Sequence, residues 1–147
     1  MILDEPALIR ARLANARGIA VLGAHSDPAR AACYVPEYLH RQGYSIYPVN
    51  PMLVGQTLWG RPVVARLTDV AAPVDLVDVF RRPEALAAHV DEILAAVRPG
   101  TLVWFQLGIR NDDLARRLSD AGLDVVQDRC TLADHRAWGI GPVPQGT

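Results

Sequence analysis

The fold is decided by the stretch Gly18-Ile19-Ala20-Val21-Leu22-Gly23-Ala24-His25-Ser26-Asp27-Pro28-Ala29-Arg30. Its first five residues form a continuous apolar run, which is typical of a strand covered on both faces in a parallel sheet. Gly23 then allows a tight turn, and an amphipathic helical pattern begins near Cys33. Strand, glycine turn and helix in this order predict the start of a nucleotide-binding βαβ unit.

Two departures from the dinucleotide fingerprint narrow the choice of ligand. His25 stands two residues after Gly23, where the fingerprint has a second glycine. The second predicted strand ends in Asn50 and Pro51, where an NAD site places an acid on the ribose hydroxyls. The sequence therefore predicts a phosphate-bearing ligand and argues against the usual NAD site. The alternative for Asn50 is an Asn-Pro turn with no contact to ligand.

Length and composition indicate one domain over residues 1–147, with a core at 16–138 and a Gly/Pro tail at 139–147 that we expect to fray. The net charge of −1 gives no reason to expect a nucleic-acid partner. The N-terminus lacks a signal-peptide pattern, and no apolar run reaches the ~20 residues that span a bilayer. Cys33 and Cys130 form no CxxC pair, so free thiols and a cytoplasmic location are expected.

Five predicted strands alternate with helical patterns along the chain. They cover residues 18–22, 45–49, 74–79, 101–105 and 123–126. This alternation predicts an α/β fold: a Rossmann-like doubly wound domain with a mainly parallel five-stranded sheet and helices on both faces. The expected strand order is 3-2-1-4-5, in which ligands bind beyond the C-terminal strand ends where the order reverses.

Three local features add detail to the helices. Pro36 is expected in the first turn of the second helix, where no N–H bond is lost. Asn111 is the predicted N-cap of the fourth helix. Thr131 and Asp134 are predicted to form a capping box at the last helix.

Residues at the predicted strand ends are the candidates for ligand binding. The backbone after Gly23 and the following helix N-terminus can hold an anion, and Arg30 adds a cation suited to phosphate. Phe80 and Arg81, followed by Arg82, could supply an apolar wall and two cations. The alternatives are a plain βα turn at Gly23 and arginines that are merely solvated.

Titratable residues favour structure over catalysis. Asp78 lies inside a covered strand and needs partners, for which Arg81 and Arg129 are candidates, so a structural ion pair is predicted. His25 could be a general base or a phosphate contact, but no Ser/His/Asp order and no second acid supports catalysis, and no catalytic residue is predicted. His135 is expected in a surface or packing role.

Metal and thiol chemistry receive little support. The four histidines show no metal-ligand spacing, so no metal is predicted. Cys33 and Cys130 both fall near helix N-termini, where a thiolate is favoured. They could react with each other or with a thiol ligand, or they could be unremarkable thiols.

A series of short motifs stands at these strand ends in a fixed order. They are Gly23-Ala24-His25…Asp27-Pro28…Arg30, Tyr34-Val35-Pro36, Pro48-Val49-Asn50-Pro51, Asp78-Val79-Phe80-Arg81, Gln106-Leu107-Gly108-Ile109 and Asp128-Arg129-Cys130. From about residue 16 to 138 the chain resembles the small bacterial CoA-binding proteins, which are similar to the CoA-binding N-terminal domain of the succinyl-CoA synthetase α subunit.

The resemblance implies coenzyme A as the ligand and assigns roles to strand-end residues. The implied phosphate contacts are Gly23, Ala24, His25 and Arg30. Asn50 and Pro51 would border the adenosine, and Phe80 and Arg81 would flank the ligand at the third strand. The implied pantetheine contacts are Gln106, Gly108 and Ile109. Many relatives have serine where His25 and Ala32 stand here, so the resemblance does not extend to a hydroxyl contact with phosphate at these positions.

The resemblance does not cover two parts of the synthetase that its chemistry needs. These are the domain with the phosphorylated histidine and the nucleotide-binding subunit. We therefore expect a non-catalytic protein that binds or senses CoA or an acyl-CoA, a small-molecule ligand, with no nucleic acid or membrane partner. A protein partner stays open. The alternative is a small NAD(P)-linked or CoA-transferring enzyme completed by a partner. A vestigial pocket is a third interpretation, which the intact Gly23 turn and the nearby arginines oppose.

Overall fold

The computed structural model describes residues 1–144. Their helices are α1 (Pro6–Asn15), α2 (Ala31–Arg41), α3 (Leu86–Ala96), α4 (Asp112–Asp120) and α5 (Thr131–Ala137). Their strands are β1 (Gly18–Leu22), β2 (Ser45–Val49), β3 (Thr57–Leu58), β4 (Arg61–Pro62), β5 (Leu76–Val79), β6 (Leu102–Phe105) and β7 (Asp124–Val126). Short 3-10 turns lie at Pro51–Leu53, Leu67–Asp69 and Pro83–Ala85.

The main sheet is fully parallel and has the order β2-β1-β5-β6-β7. All five predicted strands are present, and the α/β fold with a parallel five-stranded sheet is confirmed. The predicted order 3-2-1-4-5 is wrong, because the third of these strands, β5, pairs with β1 and not with β2. The observed order, counted over the predicted strands, is 2-1-3-4-5. Strand order now reverses between β1 and β5, and this is where a ligand is expected.

Asp75, just before β5, fixes that strand beside β1. Its Oδ2 accepts hydrogen bonds from the backbone N–H groups of Arg17 at 2.8 Å and Gly18 at 2.9 Å. Its own N–H donates to the Gly18 carbonyl at 2.9 Å. These three bonds anchor the start of the β1–β5 ladder.

The outer edge of β2, where the predicted order would place the third strand, is already occupied. The Val64 N–H donates to the Pro48 carbonyl, and the Asn50 N–H donates to the Val64 carbonyl. Residues 51–64 therefore cover the edge with a 3-10 turn and the β3–β4 hairpin. A strand added on this side could not pair with the Pro48 carbonyl or the Asn50 N–H, because both are already hydrogen-bonded to Val64.

Helices cover both faces of the sheet, as predicted. One apolar cluster packs α1 and α2 on the sheet through Ile9, Leu13, Val35 and Leu39, with α5 alongside. A second cluster on the other face includes side chains of α3 and α4: Leu86, Val90, Ile93, Ala115 and Leu118. Asn111 caps α4 as predicted, since its side chain accepts from the Leu114 N–H. Within residues 1–144, no helix is long and apolar enough to cross a membrane.

Both ends of the described chain are held by backbone hydrogen bonds. Leu3 donates to the Val125 carbonyl, which attaches the N-terminal residues to β7. At the other end, Val143 is buried and its N–H donates to the Gln42 carbonyl at 2.6 Å. The expectation of a frayed tail is thus wrong as far as Val143, because this side chain packs over the end of α2. Residues 145–147 of the predicted tail lie outside the described residues.

Gly23 gives a test of this packing, because its backbone has φ +90° and lies against the loop after β5. A Cβ at this position would lie 2.6 Å from the Phe80 carbonyl oxygen and 2.8 Å from Arg81 Cδ. We expect Gly23→Ala to lower the free energy of unfolding by about 1–2 kcal/mol for the backbone conformation and by about 1–3 kcal/mol more for the clash.

Gly60→Ala is the matched control for urea denaturation of both variants. Gly60 has φ +80°, but a Cβ added there would meet no atom within 4 Å, so this substitution carries the backbone cost alone. Equal destabilisation of the two variants would show that the approach of Phe80 to Gly23 is not tight.

Candidate functional site

A groove of about 550 Å³ lies at the C-terminal edge of the sheet. The start of α2 and the loops after β5, β6 and β7 contribute its walls. The lining residues are Arg30, Ala31, Ala32, Tyr34, Val35, Phe80, Arg81, Arg82, Pro83, Gln106, Leu107, Gly108, Ile109 and Cys130. The groove therefore lies across the point where the strand order reverses, the usual ligand position in this architecture.

The groove gathers six of the eleven predicted ligand residues: Arg30, Phe80, Arg81, Gln106, Gly108 and Ile109. The other five do not belong to its lining: Gly23, Ala24, His25, Asn50 and Pro51. These five occupy the turns after β1 and β2, on the same edge of the sheet. The prediction that they contact ligand stays a prediction.

The charge of the groove is one-sided. Arg30, Arg81 and Arg82 all line it, and its described lining contains no carboxylate. The Arg30 side chain is 65% exposed, and its nearest acidic partner, Asp27, lies at 4.0 Å. Arg81 Nε is buried and has no hydrogen-bond acceptor among the described residues. Three guanidinium groups thus face a concave surface, an arrangement suited to a phosphate-bearing ligand.

The start of α2 adds backbone donors to these cations. The N–H groups of Cys33 and Tyr34 both donate to the Arg30 carbonyl. In the described part of the chain, the N–H groups of Ala31 and Ala32 have no acceptor, and both residues line the groove. Unpaired N–H groups and the positive end of the helix dipole favour an anion at this position.

Pro36 leaves a carbonyl of α2 free to accept a hydrogen bond from the turn that precedes the helix. The structure places it at the sixth residue of the helix and not in the first turn, so this expectation was wrong. Since proline has no N–H, the Ala32 carbonyl one turn earlier loses its helical donor. The His25 N–H takes that place at 3.2 Å. The His25 ring is held as well, because its Nδ1 accepts from the Asp27 N–H at 3.0 Å.

Asn50 and the turn after β1 form one hydrogen-bonded unit. The N–H groups of Gly23 and Ala24 both donate to the Val49 carbonyl. Asn50 Nδ2 donates to the Ala24 carbonyl at 2.8 Å, and Asn50 Oδ1 accepts from the Met52 N–H at 2.9 Å. Asn50 therefore has a structural role that its sequence position did not reveal, since it ties the ends of β1 and β2 together.

Asp78 is fully buried behind the groove, and its predicted ion pair is absent from the described residues. Its Oδ1 accepts from Gln106 Nε2 at 2.5 Å, and its Oδ2 accepts from the Thr131 hydroxyl at 3.0 Å. Gln106 Nε2 also donates to Thr131 Oγ1 at 2.8 Å. Burial raises the pKa of Asp78 to about 7, although both hydrogen bonds oppose the rise. Neutral partners thus replace the expected arginine.

Arg129 and Thr131 have other roles than predicted. Arg129 pairs with Asp134 through two hydrogen bonds, at 2.7 and 3.0 Å, and is not the partner of Asp78. The predicted capping box at α5 is wrong, because the Thr131 hydroxyl points to Asp78 and Cys130 is the N-cap. Sequence reasoning missed Thr131 as a partner of Asp78, since its spacing to Asp134 had already supplied a local explanation.

The two cysteines differ in position and chemistry. Both are half-buried free thiols, but Cys130 lines the groove and Cys33 does not. Burial raises the pKa of Cys33, and the charges of Glu37 and Asp27 raise it further. The expected thiolate at Cys33 is therefore not favoured, because burial and these carboxylates outweigh the helix N-terminus.

His135 has a packing role, one of the two roles predicted for it. It is buried, its Nδ1 bonds the Tyr38 hydroxyl at 2.7 Å, and its ring meets Tyr44 edge-on. Burial lowers its pKa. Across residues 1–144, no cluster of histidine, cysteine and acidic side chains could hold a metal ion. The prediction of no metal stays a prediction.

Sequence reasoning also gave no role to Tyr34, which lines the groove and is 48% exposed. Its neighbour Val35 belongs to the buried stripe of α2 and is almost completely covered. The sequence did contain a signal for Tyr34. It is a large aromatic residue next to the buried stripe of α2, in the first turn of the helix that follows the glycine loop.

Fold and groove define a Rossmann-like domain with a candidate ligand groove at the C-terminal edge of its main sheet. More narrowly, the chain belongs to the CoA binding domain family, which matches residues 17–136. The predicted membership of a CoA-binding family is thereby confirmed.

Relatives of known sequence or structure are similar to this chain over most of its length. The uncharacterized protein YneT of Bacillus subtilis is 33% identical over 127 residues, which cover 86% of this chain and 91% of YneT. A solved structure from Thermus thermophilus, cell-free ID.343, is 50% identical, with a TM-score of 0.86 over 91% of this chain and 98% of that one. The acetyl-coenzyme A synthetase 1 of Ca. Korarchaeum cryptofilum shares the fold at 24% identity and a TM-score of 0.65, over 78% of this chain and 26% of that one.

The buried Asp78 predicts a specific pH dependence of stability. Its folded pKa of about 7 exceeds the ordinary value of 3.8, so the folded state binds more protons between these pH values. The destabilisation by Asp78 is fully present above pH 7 and disappears as the pH falls toward 4. Asp78→Asn keeps an uncharged partner for Gln106 and Thr131. We expect its advantage in unfolding free energy over the parent to grow by about 3 kcal/mol from pH 5 to pH 8.

Urea denaturation at each pH measures this difference, and Asp113→Asn is the control. The Asp113 side chain is 92% exposed, so its removal should leave the pH dependence of the parent in place. A constant difference between Asp78→Asn and the parent across this range would show that Asp78 does not titrate there.

Proposed function

We propose that the protein binds coenzyme A or an acyl-coenzyme A in the groove, as a non-catalytic binding or sensing protein. The observation that carries this proposal is that three arginines and no carboxylate line the groove, among the residues that the structure describes. The chain also belongs to the CoA binding domain family. Coenzyme A carries several phosphate charges and a long, uncharged arm. The groove offers both kinds of surface.

The phosphates would lie at the start of α2 and the loop after β5. Arg30 and Arg81 supply the cations there, and the N–H groups of Ala31 and Ala32 supply unpaired donors. His25 lies in the adjoining turn, where its Nδ1 is occupied and its Nε2 is the nitrogen left for ligand. In this orientation the adenosine would lie toward Asn50 and Pro51, after the neighbouring strand β2.

The pantetheine arm would run along the ends of β5 and β6. Phe80 and Ile109 give that part of the groove its apolar surface. Gln106 also lines the groove. Its amide nitrogen is hydrogen-bonded to Asp78 and Thr131 and is therefore not available to the ligand.

The lining also supports a binding role in preference to catalysis. Its described residues include no histidine, aspartate or glutamate that could act as a general base beside the ligand. Asn50 stands where an NAD enzyme needs an acidic side chain, and its amide is already bonded to Ala24. The alternative, a CoA-transferring enzyme, requires a partner that supplies the reacting groups.

Thermal unfolding with ligand tests the proposal directly. At 100 times the dissociation constant, CoA should raise the free energy of unfolding by about 2.7 kcal/mol, which is roughly 5–10 °C in Tm for a domain of this size. NAD, NADP and ATP at the same concentration should give smaller shifts. Stabilisation by NAD with no response to CoA would overturn the assignment.

Arg30 is expected to contribute to phosphate binding. Arg30→Ala should weaken CoA binding by roughly 1.5–3 kcal/mol, the scale of a hydrogen bond to a charged group. Isothermal titration calorimetry measures the change, and Arg116→Ala is the control because it removes an exposed arginine from α4. If both variants bind CoA as the parent does, Arg30 is not part of the phosphate site.

A further inference from the structure

The two ends of the groove differ in chemistry. The end formed by the loops after β1 and β5 carries Arg30, Arg81 and Arg82. The end formed by the loop after β6 carries Leu107 and Ile109. Leu107 is 70% exposed although it is a large apolar side chain, and it belongs to the groove lining. Because Leu107 belongs to the groove lining, it offers apolar surface that a ligand in the groove could bury.

Polar groups at the β6 end are used inside the protein. Gln106 Nε2 donates to Asp78 and Thr131, which turns the amide nitrogen away from ligand. The Gly108 N–H donates to Asp128 Oδ1 at 2.7 Å. The Ile109 N–H donates to the Gln106 carbonyl at 2.9 Å. These three donors are therefore not free to bind a polar or charged group of the ligand.

Together with the proposed position of the phosphates, the strand order indicates which part of CoA would lie near Leu107. Along the edge, β1 and β5 precede β6, so the arginines lie between the turn at Asn50 and the loop at Leu107. If the phosphates of CoA bind the arginines and its adenosine points toward Asn50, the sulfur end points toward Leu107. This orientation rests on the proposed function.

We propose that the site prefers an acyl-CoA with an uncharged hydrocarbon acyl group over free CoA, and that Leu107 contacts this acyl group. Burying one methylene strengthens binding by about fourfold. The two methylenes that distinguish butyryl-CoA from acetyl-CoA should therefore give roughly tenfold tighter binding at incomplete burial. Succinyl-CoA has the same number of acyl carbons as butyryl-CoA but ends in a carboxylate, so it should bind more weakly than butyryl-CoA.

Calorimetric titration of the full chain with CoA, acetyl-CoA, butyryl-CoA and succinyl-CoA tests this preference. The parent should bind butyryl-CoA most tightly of the four. Leu107→Asn should reduce the ratio of butyryl-CoA to acetyl-CoA affinity from about tenfold to about twofold or less. Leu8→Asn is the control, because Leu8 is also exposed, at 47%, but lies on α1 outside the groove lining. It should keep the ratio of the parent.

The outcomes separate this inference from the proposed function. If the parent binds none of the four ligands, the proposed function fails. If it binds CoA and all three thioesters equally well, or succinyl-CoA best, CoA binding stands and the acyl preference is wrong. If butyryl-CoA binds best but Leu107→Asn keeps the full ratio, the acyl group does not lie on Leu107 and the inference is overturned.

Discussion

The contact between Gly23 and the carbonyl of Phe80 depends on the pairing of β1 with β5, and the site depends on both. The ladder ends with the Phe80 N–H on the Leu22 carbonyl at 2.9 Å, after which the two chains separate into their loops. Because Gly23 has no side chain, the loop after β5 can approach the turn after β1 closely. This approach brings Arg81 into the same groove as Arg30, 51 positions earlier in the chain. Without it, the two cations would not line the same groove.

A second constraint acts at the far end of the groove, where polar side chains are drawn into the interior. Asp78, Gln106 and Thr131 bond one another beneath the sheet edge, so three elements, β5, the end of β6 and the start of α5, are joined by buried hydrogen bonds. A buried carboxylate is costly, and burial accordingly raises the pKa of Asp78 to about 7. The consequence for the site is that the Gln106 amide nitrogen is not available to a ligand. The groove thereby acquires separate cationic and apolar parts.

Much of the fold could be predicted because it rests on local patterns. Continuous apolar runs marked the strands, and helical spacing marked the helices on both faces of the sheet. The position of β5 could not be predicted, because it is decided by the Asp75 carboxylate beside β1 and by Val64 on the edge of β2. Both contacts join distant parts of the chain. Neither changes the periodicity of the sequence.

The candidate site shows the same division between local and distant information. Strand-end position predicted that Arg30, Phe80, Arg81 and Ile109 lie near one another, because parallel strands bring their C-terminal ends to one edge, and all four line the groove. It could not show that the side chains of Asn50 and Gln106 are engaged with the protein itself. Residue type predicts that an amide can bind a ligand, but only its neighbours determine whether its donors are free.

Pro36 shows how a locally unfavourable residue can serve the site. A proline inside a helix removes one hydrogen bond and costs about 3 kcal/mol in an isolated helix. Here the orphaned Ala32 carbonyl is bonded by His25, so the lost helical bond is replaced by one between the helix and the turn before it. The turn and the first residues of α2 are thereby hydrogen-bonded to each other. If a phosphate binds in the groove as proposed, the unpaired N–H groups of Ala31 and Ala32 would already be in position, which lowers the entropy cost of binding.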